Sequence, residues 1–157
     1  MRRKDREITD ISEILNIIKK CDIIRLAFFD DEYPYIIPMN FGIFCEEDKI
    51  SFYFHSASEG TKLDLLKKCN KVGFELDCEH KLIKGEKACD YTMEFESVCG
   101  NGTISIVSDE EKKLALDFIM KQYENKDSFN YDEKYINLVT ILKLSVDNIT
   151  GKRLKRN

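Results

Sequence analysis

Tryptophan is absent from this 157-residue sequence, and histidine and proline occur only twice each. No apolar run approaches the ~20 residues of a membrane-spanning helix. The charged start, Met1-Arg2-Arg3-Lys4, is followed by no apolar segment of the kind a secretory leader needs. A cytoplasmic protein without membrane contact is the expectation. The six cysteines never form a C-x-x-C pair and lie about ten residues or more apart. With only His55 and His80 to complete a set, they match no zinc pattern, so reduced, scattered thiols and no metal site are expected. Excess positive charge is missing too: the net charge is -4, which gives no general attraction to nucleic acid. The short basic ends, Met1 to Lys4 and Lys152 to Arg156, read as solvated termini. Neither the phosphate loop G-x-x-x-x-G-K-[ST] nor a dinucleotide-binding glycine fingerprint occurs. There is no internal repeat, low-complexity tract or linker composition.

What remains is ordinary for a globular chain: 43% hydrophobic and 34% charged residues, with ten phenylalanines and seven tyrosines to fill a core. The length suits one domain over 1–157. Thr9 to Cys21 reads as a helix, with Asp10 and Glu13 as a capping box and Ile11, Ile14, Leu15 and Ile18 as its stripe. Ile23 to Phe29 and Tyr35 to Phe44 read as strands of a hairpin across the turn Asp30-Asp31-Glu32. Pro38 sits inside the second strand. Proline donates no ladder hydrogen bond, so this must be an edge or a bulge where backbone groups are free for another partner.

Ile50 to Phe54 predicts a third strand, and Gly60 to Cys69 a short helix with Leu63 and Leu66 inward. Val72 to Leu76 is a fourth strand, and Cys78 to Asp90 a polar surface loop. Thr92 to Val107 is a long strand bent at Gly100-Asn101-Gly102. Asp109 caps a helix through about Glu124, with Leu114, Ala115, Phe118, Ile119 and Gln122 on one face. Leu138 to Val146 is the last strand. Most strand connections are too short for parallel crossovers, so the class is α+β with about six mainly antiparallel strands in a barrel or closed sheet, flanked by helices.

Chemistry concentrates in Tyr53-Phe54-His55-Ser56-Ala57-Ser58-Glu59-Gly60-Thr61-Lys62. A strand ends there and a helix begins, offering unpaired backbone N–H groups and a positive dipole end. Gly60 permits close approach, Ser56, Ser58 and Thr61 can donate from hydroxyls, and Lys62 adds a full charge. In the first helical turn a cation is slightly unfavourable, which a bound anion would offset. The same residues serve equally as a capped helix start with a solvated lysine, and on their own they leave both readings open. His55 is either a proton donor beside a ligand or a surface residue; His80 reads as surface. Ser97, in Glu96-Ser97-Val98-Cys99-Gly100, lacks the first glycine and the strand-to-helix setting of a hydrolase elbow. Cys99 reads as a buried structural cysteine, with a reactive thiol as the alternative. Glu94 and Glu96 share one strand face, read as a solvent face.

Taken in order, Met1-Arg2-Arg3-Lys4-Asp5-Arg6-Glu7, Tyr33-Pro34-Tyr35-Ile36-Ile37-Pro38-Met39-Asn40-Phe41-Gly42, the Tyr53 to Lys62 stretch, Glu96-Ser97-Val98-Cys99-Gly100-Asn101-Gly102, Glu111 to Leu116 and Ile149-Thr150-Gly151-Lys152 form a set covering essentially the whole chain. It resembles the 5-nitroimidazole resistance (nitroimidazole reductase) branch of the pyridoxamine 5'-phosphate oxidase-like flavoproteins. The resemblance implies a mainly antiparallel, six-stranded split β-barrel that binds FMN at a homodimer interface. Pro38, Met39 and Asn40 would lie along the isoalloxazine ring, partly through backbone atoms. His55, Ser56 and Ala57, with Gly60, Thr61 and Lys62, would hold the ribityl phosphate. Ser97, Val98, Cys99 and Gly100 would approach the flavin from the partner subunit, leaving thiol chemistry open to Cys99.

Implied in turn is an FMN-dependent reductase taking electrons from NAD(P)H or a reduced carrier. It would pass them to a small acceptor such as a nitroaromatic, with His55 as proton donor. A flavin-binding sensor, store or carrier without turnover uses the same pocket. The chain departs from the oxidases proper in lacking tryptophan and in reading Arg153-Leu154-Lys155-Arg156 where Arg-Leu-x-Pro stands. That points away from vitamin B6 oxidation.

Overall fold

The computed structural model describes residues 3–156, so Met1 and Arg2 of the basic N-terminal run lie outside the described residues. The elements follow as β1 (Glu7–Ile8), α1 (Ile11–Ile18), β2 (Ile24–Phe28), β3 (Tyr35–Met39), β4 (Gly42–Glu46), β5 (Lys49–Ser56), α2 (Thr61–Lys68), β6 (Lys71–Ile83), β7 (Thr92–Ile106), α3 (Lys112–Tyr123), α4 (Glu133–Leu138) and β8 (Thr140–Leu154). All strands share one antiparallel sheet in the order β3-β2-β6-β7-β8-β5-β4, with β1 added to β8. The α+β class and its antiparallel pairing are as expected.

Among the described residues the strands number eight rather than six. One addition is β1, too short to show a pattern. The other comes from Tyr35 to Phe44, which is not one strand but two. β3 forms one edge of the sheet and β4 the opposite edge, yet only Asn40 and Phe41 separate them. A two-residue link spans less than about 11 Å, so the sheet curls until its edges nearly meet without closing. That is a split barrel. Pro38 lies on the edge strand β3, opposite Arg25, where a missing N–H leaves no broken rung.

The barrel interior holds Phe41, Phe52 and Phe74 in edge-on ring contacts at 5.7 and 5.3 Å. Helix α1 closes one end. Its buried face is Ile14, Ile17 and Ile18, while Ile11 and Leu15 pack at the margin. Burying each such side chain contributes roughly 1.5–3 kcal/mol. The Asp10 carboxylate accepts from the Glu13 N–H at 2.9 Å, but the Glu13 carboxylate turns to Arg153. Helix α2 buries Leu63 and Leu65, with Leu66 half-buried. Helix α3 packs Ala115 and Ile119 on the outer side of the barrel, against Tyr53, Val107 and Ile141. Leu114, placed on that face by the sequence, is instead 56% exposed. Asp109 caps nothing: it sits in a 3-10 turn and pairs with Lys112 at 2.8 Å.

Two further segments differ from expectation. Cys78 to Asp90 is not wholly a loop, because β6 continues to Ile83 and pairs with β7 as far as Ile83 opposite Thr92. A bulge between Cys78 and Lys81, with Glu79 at φ 58°, turns this arm outward, where mostly polar side chains suit it. The basic C-terminal run is not a free tail either. β8 carries Lys152, Arg153 and Leu154 against Ser97, Glu96 and Phe95.

Candidate functional site

The expected site residues fall into two groups within one chain. The first is built on neighbouring strands. In an antiparallel sheet, residues directly opposite each other point to one face. Register therefore places Pro38, Arg25, Glu75, Cys99 and Thr150 in a single row across β3, β2, β6, β7 and β8. At about 4.8 Å per strand, Pro38 and Cys99 stand about 14 Å apart on the outer face of the barrel. Beside this row, Ile36, Ala27, Gly73 and Asn101 form the next one. Ile36 is 61% exposed, and Ala27 and Gly73 leave the face shallow. Val98 points the other way and is buried in the core, so it can meet a ligand on this face only through its backbone.

Charge along the row is set by Arg25, which ion-pairs with Glu75 at 2.9 Å and with Asp77. Burial, and the neighbouring Asp77, raise the Glu75 carboxyl above its ordinary range despite Arg25. Cys99 is an exposed residue, not the buried one anticipated from its neighbours. Packing around its sulfur and the Glu75 carboxylate raise the thiol, with Lys152 opposing. At neutral pH it therefore stays protonated, a poor nucleophile.

The second group surrounds the β5–α2 junction. β5 runs two residues further than expected, so His55 and Ser56 are strand residues opposite Ile141 and Thr140. His55 faces outward, exposed, with no hydrogen bond or ion pair among the described residues. Ser56 is buried and its Oγ donates to the Ala57 carbonyl at 2.9 Å. Gly60 then adopts φ 132°, a conformation that strains any L side chain, and a Cβ there would meet nothing within 4 Å. No side chain caps α2. Its first amides to find a carbonyl are those of Leu63 and Asp64, both on Gly60 O at 2.9 and 3.2 Å. Thr61 and Lys62 thus present N–H groups outward at the positive end of the helix. Lys62 is half-buried and makes no ion pair among the described residues. A cleft of 830 Å³ opens alongside, between Gly60, Leu63 and Leu66 of the α2 region and Ile104, Ile106 and Thr140.

Pro38, Ser97 and Cys99 therefore share the outer face, while Met39, opposite the buried Ile24, turns inward; His55 and Ser56 end β5 and Thr61 and Lys62 open α2, with β8 lying between β5 and β7. Three contributors gave no signal in sequence. Arg25 and Glu75 sit in runs that read as plain strand. Tyr123, at the end of α3, reaches the β3–β4 link through a contact 82 residues distant in the chain. Glu96 was assigned to a solvent face and is instead fully buried, held by Lys20, Arg153 (2.7 Å) and Lys155 (3.2 Å). His80 is a surface residue paired with Asp77, as expected.

Residues 10–153 match the family described as pyridoxamine 5'-phosphate oxidase. The chain belongs to that family. A crystal structure of a protein from Bacteroides thetaiotaomicron, provisionally assigned to 5-nitroimidazole antibiotic resistance, is 37% identical, with 94% of this chain and 86% of that one covered and a TM-score of 0.79. The FAD and heme binding protein from Mycobacterium smegmatis shares the fold at 15% identity, covering 96% of this chain and 74% of that one, with a TM-score of 0.83. The flavocytochrome Anf3 from Azotobacter vinelandii does so at 16% identity, 99% and 72% coverage, and a TM-score of 0.82. A comparison with curated proteins finds no match. No helix among the described residues is long and apolar enough to cross a membrane.

Proposed function

We propose that this protein is an FMN-dependent oxidoreductase of the cytoplasm that reduces small acceptors, nitroaromatics such as 5-nitroimidazoles among them. The observation that carries the reading is the uncapped start of α2, where Thr61 and Lys62 present amides without an internal acceptor among the described residues and Lys62 adds a positive charge. That donor set fits a phosphate monoester, as P–O oxygens accept from backbone N–H, hydroxyl and ammonium together. Family membership and the 37% identical relative support the same choice.

FMN, when bound, would supply the hydride or electron transfer. The chain's own residues bind and orient. Gly60, Thr61 and Lys62, with His55, Ser56 and Ala57 before them, hold the phosphate end. The unpaired side of β3 at Pro38, Met39 and Asn40 offers backbone groups to the ring. Ser97 and Cys99 stand on the same outer face, Val98 and Gly100 between and beside them offer backbone groups, and in a homodimer the segment reaches the ring from the partner subunit. NAD(P)H or a reduced carrier is the donor, and His55 Nδ1 or Nε2 delivers a proton to the acceptor.

The test is a visible spectrum of purified protein followed by titration with FMN and, separately, FAD. Flavin absorbance and tighter binding of FMN are expected. Lys62→Ala should weaken FMN by about 1.5–3 kcal/mol, the range for a hydrogen bond to a charged group. A protein without flavin absorbance that takes up no added flavin ends the reading, and an unchanged dissociation constant removes the phosphate assignment.

A second reading, a flavin carrier or sensor without turnover, draws on the His55 side chain, which no hydrogen bond or ion pair among the described residues orients for proton transfer. Anaerobic addition of NADPH or NADH, then a nitroimidazole, separates the two. Reduced protein that never reoxidises with any acceptor favours the carrier.

A further inference from the structure

The β2–β3 ladder runs from Phe28 opposite Tyr35 to Ile24 opposite Met39. Continued in the same register, it would bring Ile23 against Asn40 and then Asp22 against Phe41. The two main chains do not bond there. The Phe41 N–H donates to Tyr123 Oη at 2.9 Å, and the Tyr123 hydroxyl donates to the Asp22 carbonyl at 2.9 Å. A hydroxyl from α3 thus occupies the rung, spacing the strands at the point where the barrel splits. The same carbonyl also accepts from Asn40 Nδ2 at 3.3 Å. A carbonyl can only accept, so this bond sets which way the Asn40 amide is turned and leaves Oδ1 as an acceptor. The tyrosine itself is well anchored. Its ring stands edge-on to Phe41 at 6.4 Å, and a Cβ on Gly42 would collide with the α3 backbone at Phe118 and Ile119. One residue earlier, Gln122 Nε2 donates to Ile18 O at 3.2 Å and Cys21 O at 3.0 Å, tying α3 to the end of α1.

We infer that Tyr123 is a positioning residue for the flavin-facing strand, its hydroxyl fixing the backbone and the Asn40 amide where β3 leaves β2. The inference rests on the flavin reading above. Removing the hydroxyl leaves a donor and an acceptor of complementary type facing each other. Their direct bond repairs the loss and draws Asn40 towards β2, so the fold survives while the ring's setting changes.

The experiment titrates wild type, Tyr123→Phe and Gln122→Leu with FMN, recording dissociation constant, visible circular dichroism of bound flavin and Tm. Tyr123→Phe is expected to weaken FMN roughly tenfold, the loss of about one net hydrogen bond, and to alter the flavin dichroism. Gln122→Leu is expected to lower Tm and leave both flavin readouts unchanged. Tyr123→Phe with wild-type affinity and dichroism overturns the inference, as do equal flavin changes in both variants, which would mark a general loss of structure. Should Tyr123→Phe not fold, Asn40→Ala reports on the same carbonyl, and wild-type affinity and dichroism there overturn it too. Wild type that binds no flavin fails the flavin reading first and takes this inference with it.

Discussion

Two charged regions of this molecule are opposites. Beneath α1, the Glu96 carboxylate is wholly buried and surrounded by Lys20, Arg153 and Lys155, and Arg153 also reaches Glu13 at 2.7 Å. At the start of α2, Thr61, Lys62 and an open Gly60 present donors with no acceptor. The first is an anion that the chain supplies for its own cations. The second is a set of donors without an acceptor among the described residues, where we propose that the flavin phosphate binds. Buried polar groups are expected to be satisfied. A completed buried network accordingly speaks for architecture, whereas exposed donors at a helix start stay open to water or to a ligand.

Glu96→Gln should produce the largest effect. Removing one partner from a buried ionic group costs about 3–5 kcal/mol. Here about 3 kcal/mol is expected, because Arg153 and Lys155 keep solvent to turn to. Urea unfolding measures it, and FMN affinity of the folded protein should stay within about twofold. Unchanged stability would refute the architectural reading, and lost flavin binding in folded protein would merge the two regions. Lys62→Ala is the mirror image, expected to change stability by no more than about 0.5 kcal/mol while weakening FMN as stated above. Loss of stability there would show that the lysine serves the fold.

Legibility in sequence divides along similar lines. Apolar alternation and β-branched runs showed β2, β5 and most of β7, and Pro38 correctly announced an edge. The break at Asn40–Phe41 was invisible, because the residue that makes it is Tyr123, far along the chain. Polar β6 beyond Cys78 looked like loop since its outer arm has little core to cover. Glu96 alternates with Glu94 as solvent-facing residues do, and its cations arrive from the turn after α1, from β8 and from the residue just past it. By contrast, the strand-to-helix connection at Ser56 to Lys62 was readable, because a helix start draws its signals from consecutive residues. Contacts local in sequence were legible. Those closed by tertiary structure were not.

Gly60→Ala probes the open region more gently. At φ 132° a side chain costs on the order of 1–3 kcal/mol in backbone strain, though the space itself is empty. The variant should relax to a commoner backbone conformation at part of that cost and turn the Thr61 and Lys62 amides away from their common focus. A loss of FMN affinity exceeding the loss of stability is expected, from parallel titration and urea unfolding. Equal losses would mean that the glycine serves only the turn.

The smallest effect comes from a third cluster that reverses the stoichiometry at Glu96. There, one carboxylate meets three cations; at Arg25, two carboxylates, Glu75 and Asp77, share one guanidinium. Burial and the second acid raise the Glu75 pKa in the folded state. A raised acid binds its proton more tightly when folded, so its contribution to stability is fully present below the unfolded pKa. That contribution is lost as pH rises through the folded one. Above that value Glu75 is a strained anion, and Glu75→Gln should stabilise the protein at pH 7, by no more than about 0.5 kcal/mol for a half-exposed site. As pH falls the wild-type carboxyl protonates and becomes the glutamine's near-equal, so the difference between the two should vanish. Urea unfolding of both proteins from pH 7 down to about 4 measures that convergence. A glutamine variant less stable at pH 7 would mean that Arg25 outweighs burial and Asp77, and that this row of the outer face is held together by attraction as the Glu96 network is.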